Sequence, residues 1–400
     1  MQSLEAMSNS AENIHSLFLS AWYPNRHDAM SGLFVRKHAE AVSKFCMVSV
    51  LYVQGDVNIK KIEIVNQRIN QNTREIIVYF PEKSSGIFRK FIKFINYLSA
   101  NFVGYKEVIR SLGKPDIVHV NILTRTALLA YWLNKTKNIP YVITEHWTRY
   151  LPLNNSYKGL FRKLITETIV RNSEMVMPVS EQLKNAMLQN GLNQSSYKVI
   201  NNVVDDYFYS LKSIEKKNEL KKKSFLHVSC FIEKAKNVKG LLNAIKSLTQ
   251  TRDDFELTII GYGPDYEDVL NYTRKLKLPQ TIVRFTGEKT PKEVASFFYE
   301  SDVFVLFSNY ETAGVVIAES LAIGVPVVST KVGIATDYIN SDNGILVDVG
   351  DEKALVEAMG FMLDHLESFD RNKIRKQGEI FCYERVGKEI FSIYTSVLNK

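Results

Sequence analysis

The segment DVFVLFSNYETAGVVIAESLAIGVPVVST, from Asp302 to Thr330, constrains this chain more than any other. It opens on a short continuous apolar run, DVFVLF, which reads as a buried strand. Gly314 to Ile323 has the composition of a helix. Gly324 stops that helix, and Pro326 starts the next apolar run, VPVVST. Strand, turn, helix, turn, strand is the pattern of parallel strands joined by a crossover helix. Two carboxylates mark it: Glu311 in the first turn and Glu319 about two helical turns further on. Between them lie the backbone N–H groups of Thr312, Ala313, Gly314 and Val315. A helix N-terminus has unpaired donors and the positive end of the helix dipole, so it suits an anionic group such as a phosphate. Glu311 repels such a phosphate but can accept hydrogen bonds from hydroxyls carried beside it. A sugar nucleotide has the matching parts: a hydroxyl-rich sugar, a diphosphate and a ribose. On spacing alone, an ordinary crossover with two surface glutamates fits as well.

The same alternation runs through the whole chain. β-rich runs at His15 to Ser20, Val48 to Val53, Glu75 to Phe80, Asp116 to Asn121 and Pro140 to His146 are separated by helical runs. More follow at Met175 to Ser180, Ser224 to Cys230 and Leu257 to Pro264, and Val283 to Val294 reads as strand, loop and helix. This is the α/β pattern of parallel sheets with crossover helices. A length of 400 residues suggests two or three domains. The lysine-rich segment LKSIEKKNELKKK, with few apolar residues, reads as the linker. The expected division is 1–210 and 211–382.

Composition excludes more than it assigns. An apolar share of 45% is that of a chain able to bury sizeable cores. Cys46, Cys230 and Cys382 are scattered and odd in number, which fits a reducing cytoplasm better than a disulfide framework. No signal peptide is expected at the N-terminus, and no apolar run is long enough to span a bilayer. A net charge of +8 fits phosphorylated substrates, an anionic membrane or nucleic acid. No nucleic-acid module is recognisable, and no aromatic residues interleave the lysine run, so nucleic acid is not expected.

Three further stretches carry candidate contacts. The run HSLFLS leads through a polar loop to a helix beginning near Leu33. Gly32 at that junction permits close backbone approach to a ligand, or is a plain turn glycine. The segment 87–110 reads as a long helix with an apolar stripe of Phe91, Ile92, Ile95, Leu98 and Phe102 and a basic start of Arg89, Lys90 and Lys93. The stripe is expected to pack on its own sheet; the basic part is a candidate contact with an anionic membrane, at its inner face. His119, alternating with apolar neighbours, is expected to be a satisfied core histidine. Thr144-Glu145-His146-Trp147 places polar groups at a strand's C-terminal end, with Arg149 and Tyr150 following as acceptor contacts or surface residues.

Glu311 and Glu319 between two apolar runs, followed by small residues and G-V-P-V-V, resemble the donor-binding signature of the retaining glycosyltransferases of family 4. The resemblance covers nearly the whole chain, most strongly from Asp302 to Val347. It implies the GT-B architecture: two Rossmann-like domains with parallel sheets facing a central cleft, the final helix, 383–400, crossing back to the first. It implies that Glu311 contacts the donor sugar, Glu319 the ribose hydroxyls, and His146 the sugar from the other domain. It places Gly32 near the diphosphate and acceptor, and backbone around Gly287 near the base. Of the family's basic pair, Lys236 matches the lysine, while Cys230 stands where the arginine belongs. Lys234 or Lys239 is then left to supply the second charge. Val203 and Ala313 are smaller departures.

No Asp-x-Asp pair is present; Asp205-Asp206 and Asp253-Asp254 are adjacent and point apart in extended chain. The expected chemistry is therefore a metal-independent, retaining hexosyl transfer, with no cofactor beyond the nucleotide-sugar donor, UDP-linked as the commonest kind. Lys236 and the 312–315 amides would hold the phosphates. The expected acceptor is a glycan or lipid-linked glycan of surface polysaccharide synthesis. Two alternatives stay open: a sugar-nucleotide epimerase on the same frame, and a catalytically inert partner subunit with a degenerate donor site.

Overall fold

The computed structural model describes residues 14–82, 88–123, 125–154, 156–194, 196–211 and 222–400. Most of the lysine-rich segment, and the N-terminal residues where a signal peptide was not expected, lie outside the described residues. The chain divides into two compact units. One comprises the residues up to Val179, Lys184–Val203 and Tyr383–Lys400; the other comprises Ser180–Leu183 and Val204–Cys382.

The first unit is built on seven strands: β1 (His15–Ser20), β2 (Met47–Asp56), β3 (Glu63–Arg68), β4 (Thr73–Pro81), β5 (Ile117–Asn121), β6 (Tyr141–Glu145) and β7 (Met175–Pro178). Their spatial order is β3-β4-β2-β1-β5-β6-β7. All neighbours pair parallel except β3, which runs antiparallel to β4 at the edge. The inner strands β1, β5 and β6 are buried along their whole length, as parallel strands covered on both faces must be. Helix Tyr383–Leu398 belongs to this unit and puts Val386, Ile390 and Tyr394 into the same core as Phe18, Val50 and Met177. Gly387 is what lets it approach. A Cβ there would lie 2.2 Å from the Ala41 carbonyl oxygen.

Helix Arg89–Leu112 corrects one expectation. The face packed inward is Tyr97, Ala100, Asn101, Gly104, Tyr105 and Val108. A Cβ on Gly104 would press on Leu51 of β2 and Val78 of β4. The stripe expected to pack on the sheet is turned outward instead: Phe91 is 65% exposed and Ile95 47%. An apolar stripe gives a helix's amphipathicity, not the identity of the covered face. Two of the basic residues at its start are tied to one carboxylate, with Glu82 at 2.6 Å from Lys93 and 3.8 Å from Arg89.

The second unit carries six parallel strands: β8 (Lys223–Val228), β9 (Phe255–Ile260), β10 (Val283–Phe285), β11 (Val303–Leu306), β12 (Val327–Thr330) and β13 (Gly344–Val347). Their order is β10-β9-β8-β11-β12-β13. Val204 enters this unit with its N–H on the Phe381 carbonyl at 2.9 Å. Both sheets are therefore doubly wound. Each reverses direction once, between β1 and β5 in the first and between β8 and β11 in the second. In such sheets the crevice outside the strand C-termini at the reversal is where ligands bind.

Candidate functional site

The loops leaving β8 and β11 meet at the switch point of the second sheet. The β11 loop turns through Ser308 and Glu311 into helix Val315–Ile323, whose N-cap is Gly314 at φ 77° and whose C-cap is Gly324 at φ 88°. Both conformations are left-handed and favour glycine, which is why the helix is so sharply bounded. No side chain caps its N-terminus, and no acidic residue lies in its first turn. Instead the loop's carbonyls are tied down: Ser180 Oγ donates to Thr312 O at 2.6 Å, and Ile334 N–H to Ala313 O at 2.8 Å. The N–H groups of Thr312, Ala313, Gly314 and Val315 find no hydrogen-bond acceptor among the described residues. The result is a fixed row of donors at the positive end of a helix.

Glu311 is 8% exposed and held from two sides. Lys236 Nζ lies 2.5 Å from its Oε1, and Ser308 Oγ donates to the same oxygen at 2.8 Å. Lys236 closes the short helix Glu233–Lys236 that follows the β8 loop. Ser308 is fixed in turn by Thr330, whose hydroxyl donates to its carbonyl at 2.6 Å. Glycine is required behind Glu311 too. A Cβ on Gly333 would lie 2.9 Å from Glu311 Cβ and 2.5 Å from Ala313 O. The structure thus brings Lys236, Glu311 and the 312–315 amides together. Glu319 sits half-buried further along the same helix.

Neighbouring side chains settle which lysine is committed elsewhere. Lys239 is ion-paired with Asp268. Lys234 is exposed and has no carboxylate partner among the described residues. Cys230 is an exposed free thiol. Its loop is held against the β9 loop by Gly261 and Gly263. A Cβ on the first would come within 1.8 Å of the Ser229 carbonyl oxygen, and on the second within 2.6 Å of the Phe231 backbone. Gly287 has φ 69° and open space where a side chain would be, and its carbonyl accepts from Gly261 N–H at 3.0 Å. His227 lies beneath the pair, bonded to the Val305 carbonyl at 2.9 Å and Ser229 Oγ at 2.8 Å. Burial pulls it down to about 4, with the Lys236 ammonium adding to the shift and Glu311 opposing it. Ser308, Thr330 and His227 carry no spacing signal and were not legible as site residues.

At the switch point of the first sheet one buried imidazole is left without partners. His146, just beyond β6, is 7% exposed, and neither ring nitrogen has a hydrogen-bond partner. Its ring lies 4.4 Å from Phe34 and 5.4 Å from His38. Burial holds it well below the ordinary imidazole range, and His38 and His119 reinforce that, so it is neutral. Glu145 organises the turn: its carboxylate accepts from the N–H groups of Leu123, His146 and Trp147 at 2.8–2.9 Å. His119 on β5 is a satisfied core histidine, bonded at 2.6 Å to both Tyr394 Oη and Thr144 Oγ1. Gly32 uses its freedom internally. A Cβ would fall 2.1 Å from the Trp22 carbonyl oxygen. Arg149 and Tyr150 are not surface residues; they are 9% and 2% exposed. Among the described residues no group of three or more His, Cys, Asp or Glu side chains is placed to hold a metal ion.

Two Rossmann-like units, each with its chemistry at a switch point, define an α/β protein of the GT-B type. Known proteins agree. The family model "Glycosyltransferase Family 4" matches residues 69–207, and "Glycosyl transferases group 1" matches residues 211–379. Each model covers less than half of the chain and the two together most of it, so the chain resembles the family 4 glycosyltransferases over both units. N-acetyl-alpha-D-glucosaminyl L-malate synthase of Bacillus anthracis is 28% identical over 301 residues, 71% of this chain and 75% of that one. Among solved structures, sucrose-phosphate synthase from Thermosynechococcus elongatus superposes with a TM-score of 0.72 at 18% identity, covering 97% of this chain and all of that one. Anabaena HepE in complex with UDP-glucose gives 0.67 at 15%, covering 96% of this chain and 100% of that one. At such identity these two likenesses concern the fold.

Proposed function

We propose that this glycosyltransferase takes a hexose from a UDP-sugar and transfers it, with retention and without a metal, to a glycan or lipid-linked glycan of a surface polysaccharide. The observation that carries the reading is the Lys236–Glu311 pair beside four free amides. In this reading the amides and Lys236 receive the diphosphate. Glu311, whose other oxygen is not engaged by Lys236 or Ser308, accepts from the donor sugar's hydroxyls. Glu319 takes the ribose hydroxyls, and backbone near Gly287 lines the base. Lys234 replaces the family's missing arginine, since Lys239 is held by Asp268. The fold's likeness to HepE, solved with UDP-glucose, supports a UDP donor.

The leaving diphosphate gains charge as the glycosidic bond breaks, so donors set in place beforehand stabilise the transition state more than the ground state. Glu311 positions the sugar and is not a nucleophile; a retaining hydrolase instead needs two carboxylates about 5–5.5 Å apart across the bond. The acceptor hydroxyl gives its proton to the departing phosphate oxygen. His146, neutral and unpartnered, offers a donor to a sugar hydroxyl. The site works at an inner membrane face in the cytoplasm.

Thermal-shift screening against UDP-, GDP- and ADP-sugars tests the reading. A rise in melting temperature with UDP-sugars is expected; no rise with any of them would favour an inert subunit. Conversion of the bound donor without acceptor would mean epimerisation. Turnover should persist in excess EDTA, and loss restored by Mg²⁺ would overturn the metal-free route.

A further inference from the structure

A cavity of about 510 Å³ opens in the first unit, lined by residues that follow β1, β5 and β6. Trp22, Leu123 and Trp147 form part of its wall, and three arginines enter it: Arg125, Arg149 and Arg162. No carboxylate lines it among the described residues, and none of the three is in an ion pair there. Arg149 is nine-tenths buried, its guanidinium lies over the Trp147 ring, and its Nε has no hydrogen-bond partner. Burial makes the Arg149 charge costly; the Glu145 carboxylate, already accepting three backbone N–H groups, offsets that only in part, and Arg162 adds to it. The planar fork of a guanidinium fits phosphate oxygens. Arg125 and Arg162 are exposed at the cavity, and with Arg149 they bring three positive charges to it, which suits more than one negative charge.

One side of the cavity is apolar. Through Leu128, Ile165 and Ile169 it continues into a groove of about 260 Å³ walled by Phe161 and Leu164. Phe161 is 83% exposed and Leu164 61%. Exposed apolar surface of this kind, joined to a cationic pocket, matches an amphiphile with an anionic head. A glycerophospholipid headgroup brings one phosphodiester charge, whereas a diphosphate link brings more, in better balance with three arginines.

We propose that this cavity and groove hold an isoprenoid diphosphate, with the diphosphate on Arg125, Arg149 and Arg162 and the first isoprene units along Ile165, Leu164 and Phe161. The inference rests on the glycosyltransferase reading only for the statement that this molecule carries the acceptor. The chain's three tryptophans, Trp22, Trp132 and Trp147, all line the cavity or an adjoining groove, so intrinsic fluorescence reports occupancy. Farnesyl diphosphate, inorganic pyrophosphate, farnesol and phosphatidylglycerol vesicles are titrated against the full chain. Farnesyl diphosphate should give a saturable change at least tenfold tighter than pyrophosphate or farnesol. Arg162→Met should weaken it about tenfold, the loss of one charged hydrogen bond. Phe161→Ser with Leu164→Ser should weaken farnesyl diphosphate and leave pyrophosphate unchanged; all three positions are exposed, so the variants should fold. Equal affinity for farnesol or for pyrophosphate would overturn the proposal, as would a response to vesicles alone that Arg162→Met does not alter. UDP-glucose is tested by thermal shift on the same preparation. Donor binding without any farnesyl diphosphate signal removes this inference and leaves the glycosyltransferase reading standing.

Discussion

At the switch point of the second sheet, Lys236 and Glu311 answer each other at 2.5 Å, and Ser308 steadies the carboxylate. At the switch point of the first, His146 has no partner on either nitrogen and Arg149 none on Nε. Both places are topologically alike, so the sheet does not explain the difference. The second site holds its charges against one another, and in the proposed function a donor exchanges them for its own. The first is incomplete, and leaving buried polar groups unpaired lowers stability unless a ligand supplies the missing contact.

The comparison can be broken most forcefully at Glu311. Glu311→Gln keeps the shape but removes the charge that pairs with Lys236 and that is proposed to bind sugar hydroxyls. Transfer should fall by about a hundredfold or more, on the scale of a lost charge-assisted hydrogen bond. Circular dichroism should show the fold retained, and normal turnover would end the assignment.

The two histidines sharpen it next. His119→Phe strips a partner from two buried hydroxyls, those of Tyr394 and Thr144, and should lower stability by about 2–4 kcal/mol in denaturant titrations. His146→Phe breaks no hydrogen bond, so its stability should change by less than about 1.5 kcal/mol while transfer drops. Equal destabilisation in both would mean that His146 is only a packing residue.

The buried histidines also set a pH signature. His38 and His227 are each pulled down to about 4 by burial. Unfolded, both titrate near 6.5, so below that pH the unfolded chain binds more protons than the folded one. Their stability contribution is complete above about pH 6.5 and is lost as pH falls towards 4, at about 1.4 kcal/mol per pH unit for each group. Melting temperature should decline over that window, and a flat profile would contradict burial of neutral imidazoles.

The smallest effect separates the lysines. Lys234→Ala should raise the donor KM about tenfold, whereas Lys239→Ala, whose ammonium is already taken by Asp268, should change it about twofold or less. The reverse order would reassign the second phosphate cation.

How much of this the sequence disclosed follows from how each site is assembled. The alternation of short apolar runs and helices revealed both parallel sheets, because inner strands buried on both faces read as continuous apolar runs. The edge strand β3, exposed along most of its length and antiparallel, left no such trace. Glu311, Gly314, Glu319 and Gly324 stand on one contiguous strand–helix unit, so their spacing carries their geometry. The arginine cavity draws on separate segments from Ser20 to Ile169, and no spacing connects them. Nor could residue order tell that Phe91 and Ile95 face outward while Tyr97 and Tyr105 face the sheet. That depends on what covers the helix, and both faces are apolar enough to do it.

The most direct trial of the donor-site account is calorimetric titration of Glu311→Gln with UDP and with the UDP-sugar found active in the donor screen. If Glu311 grips the sugar while the amides and Lys236 grip the phosphates, UDP should bind within about threefold of wild type. The extra affinity that the sugar confers should vanish. Loss of UDP binding in equal proportion, or an undiminished preference for the sugar-bearing form, would contradict it.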